Sequence, residues 1–247
     1  MKAQFSGGFI KWAKAPLRAR LFGQFVVITS GVALGLFADD WRQRRDDMAR
    51  QEALLAAMYA DLVADSVELA AQAQRSLQWD RAAQWLDQSR YRTRVPADSL
   101  RDALAAFGII VFYQPVSSAY VGLRDAGQLP LIRDNELRHA IVEYYELRQP
   151  YMSQWFKLNS TNWQDWSRLA PRYLDYVGVP NDSTIFQALR RPKLTGRWSD
   201  FVADDEVRGL TEIMGMMAGN TRARIQPVLR SNNDLRDLID RVLSIER

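Results

Sequence analysis

The amino-acid sequence predicts an all-α protein: one N-terminal transmembrane helix that continues into a long helix, followed by an extramembrane helical bundle. Residues 21–38 carry no charged side chain, and neither proline nor glycine occurs between Gly35 and Pro96. After Pro96, capping residues and glycines delimit several more helices, which favours a bundle. The predicted organisation is a basic juxtamembrane arm at 1–20, a transmembrane helix at 21–38, a long connecting helix at 39–94 and a helical extramembrane domain at 95–247.

The transmembrane prediction rests on Leu21–Ala38, an uncharged run between Arg20 and Asp39. At about 1.5 Å of rise per residue, its eighteen residues make a helix of roughly 27 Å, close to the roughly 30 Å of bilayer hydrocarbon. Gly31 and Gly35 are four residues apart and share one helix face, where another transmembrane helix can approach closely. We expect this face to dock against helices of a larger complex.

Two other interpretations of this run are a cleaved signal peptide and a buried core helix of a soluble protein. Leu36 spoils the small-residue pattern that a cleavage site before Asp39 needs. A core helix does not explain the flanks, where basic and aromatic residues suit a membrane interface. These predicted interface residues are Lys11, Trp12, Lys14, Arg18, Arg20 and Trp41. A disordered tail is the alternative for the arm.

The distribution of charge argues against a nucleic-acid partner. The chain has a formal net charge of +4, but the five basic residues of 1–20 account for all of it. A slight Lys/Arg excess in that arm predicts a cytoplasmic N-terminus, hence a bacterial inner-membrane protein with a periplasmic body. The absence of cysteine excludes disulfides, thiol catalysis and thiolate metal sites. The predicted partners are the lipid bilayer and other transmembrane helices.

The long helix carries an apolar stripe with spacings typical of a packed helix face. Its members are Leu55, Tyr59, Leu62, Leu69, Ala73 and Leu77. Because Ser66 interrupts the stripe, we expect it to pack on the protein's own later helices instead of forming a coiled coil with a second copy.

Several shorter elements follow. Asp98 or Ser99 can cap a helix that ends at Gly108, and Ile109–Pro115 is expected to be an extended connector or a lone strand. Ser117 or Ser118 is expected to cap the next helix, which Gly127 ends.

The last third of the chain continues this helical pattern. Asp134 is expected to begin a helix that Pro150 interrupts, and Ala203–Arg247 is expected to form one or two closing helices with a kink at Pro227.

Two blocks of the chain carry a recognisable pattern. The first block consists of Gly31, Gly35, Leu36, Asp39, Asp40, Trp41 and Arg44. The second consists of Tyr120, Leu123, Gly127, Leu129, Leu131, Ile132, Leu137, Arg138, Ile141, Tyr144 and Tyr145. Together they resemble an uncharacterised bacterial family of single-span membrane proteins. Gln24 departs from an acidic position of that pattern, and Asp39 and Asp40 replace asparagines. The resemblance implies a membrane anchor with a helical domain, and it implies no activity.

The residues typical of catalysis and cofactor binding are scarce. His139 is the only histidine, and no cysteine, histidine or methionine lies in 21–38 to ligate a haem iron. The acids Asp204, Asp205 and Glu206 fit an N-terminal helix cap better than a metal site. No phosphate-binding loop or nucleophile motif occurs. We therefore predict no enzyme activity, no cofactor and no metal.

Five aromatic residues are candidates for a partner face, because tyrosine and tryptophan often anchor interfaces. They are Tyr144, Tyr145, Trp155, Trp163 and Trp166. Core packing is the alternative for most of them.

Three functions fit these observations. The first is a non-catalytic, membrane-anchored accessory or scaffolding subunit that stabilises a larger membrane complex, with a photosynthetic reaction-centre or light-harvesting assembly as one specific version. The second is an anchored periplasmic sensor or ligand-binding domain. The third, and weakest, is a hydrolase with an unrecognised site.

Overall fold

Helices account for most of the chain, so the predicted all-α class is confirmed. The computed structural model describes residues 17–108, 112–175 and 192–245, and for residues 17–24, 26, 27 and 245 it describes the backbone alone. The α-helices are α1 (Leu17–Ser89), α2 (Ala97–Phe107), α3 (Ser118–Asp125), α4 (Asn135–Glu143), α5 (Gln149–Leu169), α6 (Trp198–Ala203) and α7 (Asp205–Ile245). Two 3-10 turns lie at Leu129–Leu131 and Ala170–Arg172, and a π-helical turn lies at Tyr144–Arg148.

The chain divides into two compact units, residues 1–52 and 53–247. Within the first unit, the side chains described at position 25 and at positions 28–46 are all exposed. In the described part of the chain, no helix has both the length and the apolar character that crossing a membrane requires. The structure therefore gives no support to the predicted transmembrane helix at 21–38, a run whose side chains at 21–24, 26 and 27 are outside the described part.

In the second unit, α1 buries one residue at every third or fourth position. The buried positions include Leu55, Met58, Leu62, Asp65, Leu69, Gln72, Ser76 and Trp79. The predicted stripe is correct at Leu55, Leu62 and Leu69, whereas its other members, Tyr59, Ala73 and Leu77, are half-buried. A stripe chosen by apolar character alone misses Asp65, Gln72 and Ser76, because these polar residues share the buried face.

The buried face of α1 packs against α7, which runs antiparallel to it. Ala83 of α1 lies so close to Gly215 of α7 that a Cβ atom built on the glycine would be 2.6 Å from the Ala83 Cβ atom. Further along, the Arg222 guanidinium lies 2.7 Å from the Asp80 carboxylate. The expectation that α1 packs on the protein's own later helices is confirmed.

One expectation for the middle of the chain is wrong. Pro150 does not interrupt the helical segment, because α4, the π-helical turn and α5 follow one another without a break from Asn135 to Leu169. The structure also contains an unpredicted antiparallel strand pair, β1 (Leu174–Asp175) and β2 (Lys193–Leu194), in which Leu174 pairs with Leu194. Each strand has only two residues, too few to show an alternating pattern.

Candidate functional site: a buried carboxylate shared by three segments

Asp65 lies on the buried face of α1, and none of its surface is exposed. Its carboxylate accepts hydrogen bonds from the Tyr113 hydroxyl at 2.6 Å, from the Val116 backbone N–H at 3.1 Å and from the Tyr144 hydroxyl. No lysine or arginine in the described chain lies within ion-pair distance of it. Because an ionised carboxylate is costly to bury, these three donors replace the water that it loses on folding.

Asn232 of α7 extends this network to a second long helix. Its amide nitrogen donates to the Tyr144 hydroxyl oxygen at 2.9 Å and to the Leu62 carbonyl oxygen at 3.0 Å. The Tyr144 hydroxyl thus accepts a hydrogen bond from α7 and donates one to α1. The Gln149 amide donates to the Val116 carbonyl oxygen at 3.0 Å. The network therefore fixes α1, α7 and the segment around Val116 in one arrangement.

The tyrosines around Asp65 are held in their protonated, donating form. Burial, followed by the charge of Asp65, raises the pKa of both Tyr113 and Tyr144 above its ordinary value. Burial also raises the pKa of Tyr145, and the charges of Asp61 and Asp65 add to this effect. Ionising any of these phenols would place a second negative charge in the core beside a carboxylate.

Asp61 precedes Asp65 by one helical turn and caps α3 from outside that helix. Its carboxylate accepts from the Ala119 backbone N–H at 2.7 Å and from the Ser118 hydroxyl at 3.1 Å. A cap of this kind satisfies backbone donors that the first turn of a helix leaves free. Ser117, which precedes α3, makes no side-chain cap hydrogen bond. The predicted cap at Ser117 or Ser118 is therefore replaced by Asp61.

The π-helical turn Tyr144–Arg148 places two tyrosines in the core in succession. The ring of Tyr145 stacks on that of Tyr120, with centroids 4.6 Å apart, and meets the ring of Tyr144 edge-on. The Tyr120 hydroxyl donates to the Glu146 carboxylate at 2.7 Å. Burial and this hydrogen bond raise the pKa of Tyr120 to about 12. An extra residue in a helical turn often marks a functional or strained site, and here it lies beside the buried carboxylate.

The aromatic partner face predicted from the sequence is wrong for three of its five members. Tyr144, Tyr145 and Trp166 are buried in the core. Trp155 and Trp163 are half-buried, and both use their indole N–H groups inside the protein. Trp155 donates to the Thr221 hydroxyl at 2.9 Å, and Trp163 donates to the Gly108 carbonyl oxygen at 3.2 Å. These side chains stabilise the bundle, because their large apolar surface is removed from water.

The predicted docking and interface residues all belong to the first unit. Among the residues that the structure describes, nothing lies within 4 Å of a Cβ atom built on Gly31 or Gly35. Trp41 is exposed, with the Arg45 guanidinium 5.8 Å from its ring centroid. Arg18 and Arg20 belong to α1, but their side chains are outside the described part. Lys11, Trp12 and Lys14 lie wholly outside the described residues.

The remaining polar candidates are His139 and the acidic residues at the start of α7. His139 is exposed on α4. Asp204 caps α7 as expected, since its carboxylate accepts from the backbone N–H groups of Glu206 at 2.7 Å and Val207 at 3.3 Å. A hydrogen bond from Tyr173, together with these caps, lowers the pKa of Asp204. In the described ranges, no three acidic or histidine side chains are grouped to hold a metal ion.

The described residues of the second unit line two open surface grooves, among others. One, of about 520 Å³, is lined by α1 and α2, with Trp85 on one side and Ala103 on the other. The other, of about 610 Å³, runs between α1 and the segment from Phe112 to Ser118. Val116 lines the second groove, and its backbone N–H donates to Asp65. This groove therefore borders the Asp65 network.

Comparison of the chain with protein-family models, with curated proteins and with solved structures gives no match. The resemblance to a family of single-span membrane proteins therefore stays a prediction. Several residues of its second block are core residues here, namely Tyr120, Leu123, Ile132, Leu137, Ile141, Tyr144 and Tyr145.

Sequence reasoning missed Asp61, Asp65, Tyr113 and Asn232. The available signal was spacing: Asp65 lies three residues after Leu62 and four before Leu69, so it occupies a position of the buried face. A single acid at such a position indicates a buried hydrogen-bond network.

Proposed function

We propose that the protein is a non-catalytic, membrane-anchored accessory subunit that braces a larger membrane complex. One observation carries the proposal: in the first unit, large apolar side chains of α1 are exposed on several sides of the helix. Leu34, Leu36 and Phe37 are 67–78 % exposed. Successive residues are about 100° apart around a helix, so these three point in different directions.

A helix that exposes apolar side chains on several sides needs an apolar environment around it. The sequence supplies the limits of that environment, because Arg20 and Asp39 enclose an uncharged run long enough for a bilayer. Ile28 and Val32, also exposed, lie inside the same run. A lipid bilayer is the surrounding that fits both the length and the charged ends.

The bracing role is supported by the second unit, whose polar side chains are arranged for rigidity. The Asp65 carboxylate is fully buried and bonded to three donors, which leaves it inaccessible to a substrate. Three hydrogen bonds hold this buried carboxylate, and the core around it, in one arrangement. A rigid body on a membrane helix suits a subunit that holds partners in place.

Isolation of the tagged protein from native membranes after mild extraction tests this role. We expect a defined membrane complex to be recovered in stoichiometric amounts. Gly31→Leu or Gly35→Leu is expected to reduce that recovery while membrane insertion is unchanged, because nothing in the described chain obstructs a side chain at either position. Ala33→Leu, on the opposite side of the helix, is the matched control and is expected to leave recovery unchanged.

One result would reject the docking face, and another would contradict the accessory role. Equal recovery of the complex with Gly31→Leu, Gly35→Leu and Ala33→Leu would reject this face as the docking surface. Recovery of the protein alone, with a small molecule bound to the bundle, would favour the sensor function. Topology is tested separately by labelling Ser6→Cys and Ser183→Cys in intact cells, and labelling of Ser183→Cys alone is the expected result.

A further inference from the structure

The helical segment that leads from the π-helical turn into α5 exposes a stripe of residues at a regular spacing. Leu147, Tyr151 and Leu158 are 63 %, 45 % and 66 % exposed, and Gln154 and Thr161 between and beyond them are exposed as well. The steps along this stripe are four, three, four and three residues. This is the spacing at which one helix packs along another in a coiled coil.

A cation lies beside this stripe on the neighbouring helix. The Arg224 guanidinium of α7 is 4.1 Å from the ring centroid of Trp155 and 5.5 Å from that of Tyr151. Stacking on two aromatic rings holds the planar guanidinium in one place. Arg224 therefore has a fixed position next to the middle of the exposed stripe.

Arg224 has no acidic partner in the part of the chain that the structure describes. Arg222, two residues earlier, is paired with Asp80 at 2.7 Å, but no carboxylate lies within ion-pair distance of Arg224. The Arg224 Nε atom is buried and makes no hydrogen bond among the described residues. Lys157, adjacent to Leu158, is exposed and likewise has no ion pair there.

The stripe thus combines exposed apolar side chains with two unpaired cations. A guanidinium that is already stacked and partly dehydrated binds a carboxylate with little further loss of freedom. A second copy of the same face would bring two more unpaired cations, while the carboxylates at the two ends of the stripe, Glu143 and Asp165, are already paired with Arg148 and Arg168. The charges therefore disfavour self-pairing.

We propose that this stripe is a docking surface for an amphipathic helix of a partner protein, one that carries aspartate or glutamate beside its apolar stripe. Helix-in-groove recognition has this form, with apolar anchors at three- and four-residue spacing. The inference deepens the proposed accessory role by stating the chemistry of the partner's contact. It does not need the membrane anchor, so the two proposals can fail separately.

Site-specific cross-linking in the full chain tests this surface. A photoreactive benzoylphenylalanine replaces Leu158, the protein is made in its native host, and the cross-linked peptide is sequenced by mass spectrometry. We expect one partner peptide with an acidic residue three or four positions from the cross-linked apolar residue. Arg224→Glu is expected to lower the yield by about tenfold or more, since it replaces attraction by repulsion.

Arg230→Glu is the matched control, because Arg230 is exposed on the same helix and has no ion pair in the described chain. It is expected to leave the cross-link yield unchanged. If Arg224→Glu does not fold, Arg224→Gln removes the charge alone and is expected to lower the yield in the same direction.

Three outcomes would overturn the docking proposal. The first is a cross-link to a second copy of the chain or to lipid alone. The second is a yield that Arg224→Glu and Arg224→Gln do not change. The third is a yield no higher than that of benzoylphenylalanine in place of Asn233, an exposed residue of α7. Loss of membrane association with an unchanged cross-link would reject only the anchor.

Discussion

Within helix α1, Phe37 is 78 % exposed while Asp65 and Gln72 are completely buried. The first unit thus exposes apolar side chains, and the second buries polar ones on the same helix. Residue type alone therefore does not decide which face of a helix is covered. In the second unit the covering groups are α7 and the tyrosines, whereas in the first we infer an apolar environment supplied from outside the chain.

The largest expected effect comes from removing the buried acid. Asp65→Ala leaves the Tyr113 and Tyr144 hydroxyls and the Val116 N–H without their acceptor. The free energy of unfolding is expected to fall by about 3 kcal/mol or more, since unsatisfied buried donors cost about 1–3 kcal/mol each. Urea unfolding followed by far-UV circular dichroism measures this change.

The matched control is Asp46→Ala on the exposed part of the same helix. It is expected to change stability by less than about 0.5 kcal/mol, as surface substitutions generally do. Equal effects of Asp46→Ala and Asp65→Ala would abolish the contrast between the two parts of α1.

Two glycines of α7 test how closely this helix packs on the buried face of α1. Gly215→Ala would place a Cβ atom 2.6 Å from Ala83 Cβ, so the two helices must separate. Such overpacking is expected to cost about 1–3 kcal/mol. No described residue lies within 4 Å of a Cβ atom added to Gly219, and Gly219→Ala is expected to stabilise by about 0.5–1 kcal/mol through helix propensity. Thermal unfolding compares the pair, and a stabilising Gly215→Ala would contradict the close packing of α1 on α7.

Much of this architecture was predictable, because helix ends depend on local signals. Asp134 caps α4 as its position suggests, with its carboxylate 2.8 Å from the Leu137 nitrogen. Gly127 follows α3 with a positive φ of 66°, as its place at a helix end predicts. These features depend on neighbours in sequence, so the sequence is enough to find them.

The buried site was not predictable in the same way, because its partners are distant in sequence. Asp65 meets Tyr144, and Tyr144 meets Asn232, only after α1, the π-helical turn and α7 have packed. The burial of Tyr144, Tyr145 and Trp166 was not predictable for the same reason, since the exposure of an aromatic side chain depends on which helix covers it. The exposed stripe of α5 was not predicted either, because the exposure of its leucines also depends on which helices cover them.

A smaller effect is expected at the tertiary cap. Asp61→Ala removes the acceptor of the Ala119 N–H and the Ser118 hydroxyl, and should cost about 0.5–2 kcal/mol, as the loss of a helix N-cap does. Ser117→Ala, at the position that sequence would choose, is expected to change little because its side chain makes no cap bond. Chemical unfolding of both variants measures the two losses of stability. A larger loss with Ser117→Ala than with Asp61→Ala would show that Ser117 is the cap.

The smallest effect at neutral pH is expected for Tyr145→Phe, within about 0.5 kcal/mol, because the Tyr145 hydroxyl is buried without a hydrogen-bond partner in the described chain. At alkaline pH the variant becomes informative. An unfolded tyrosine loses its proton near pH 10, whereas the raised pKa of Tyr145 keeps it protonated in the folded state. The unfolded state then binds fewer protons, so stability falls as pH rises above about 10.

Each such tyrosine contributes a slope of about 1.4 kcal/mol per pH unit in that range. Tyr145→Phe is expected to reduce the decline of stability by this amount, measured as urea unfolding at a series of alkaline pH values. Tyr91→Phe, at an exposed residue, serves as the control and is expected to leave the decline unchanged. A decline that Tyr145→Phe does not alter would contradict the burial of this phenol.

The claim that the exposed apolar part of α1 is covered by lipid is tested most directly by fractionation. Cells of the native host are lysed, the envelopes are sedimented, and the pellet is washed with alkaline carbonate, which removes peripheral proteins. We predict that the chain remains in the washed membrane pellet and leaves it only when detergent is added. Recovery of the chain in the supernatant before detergent would contradict the membrane anchor.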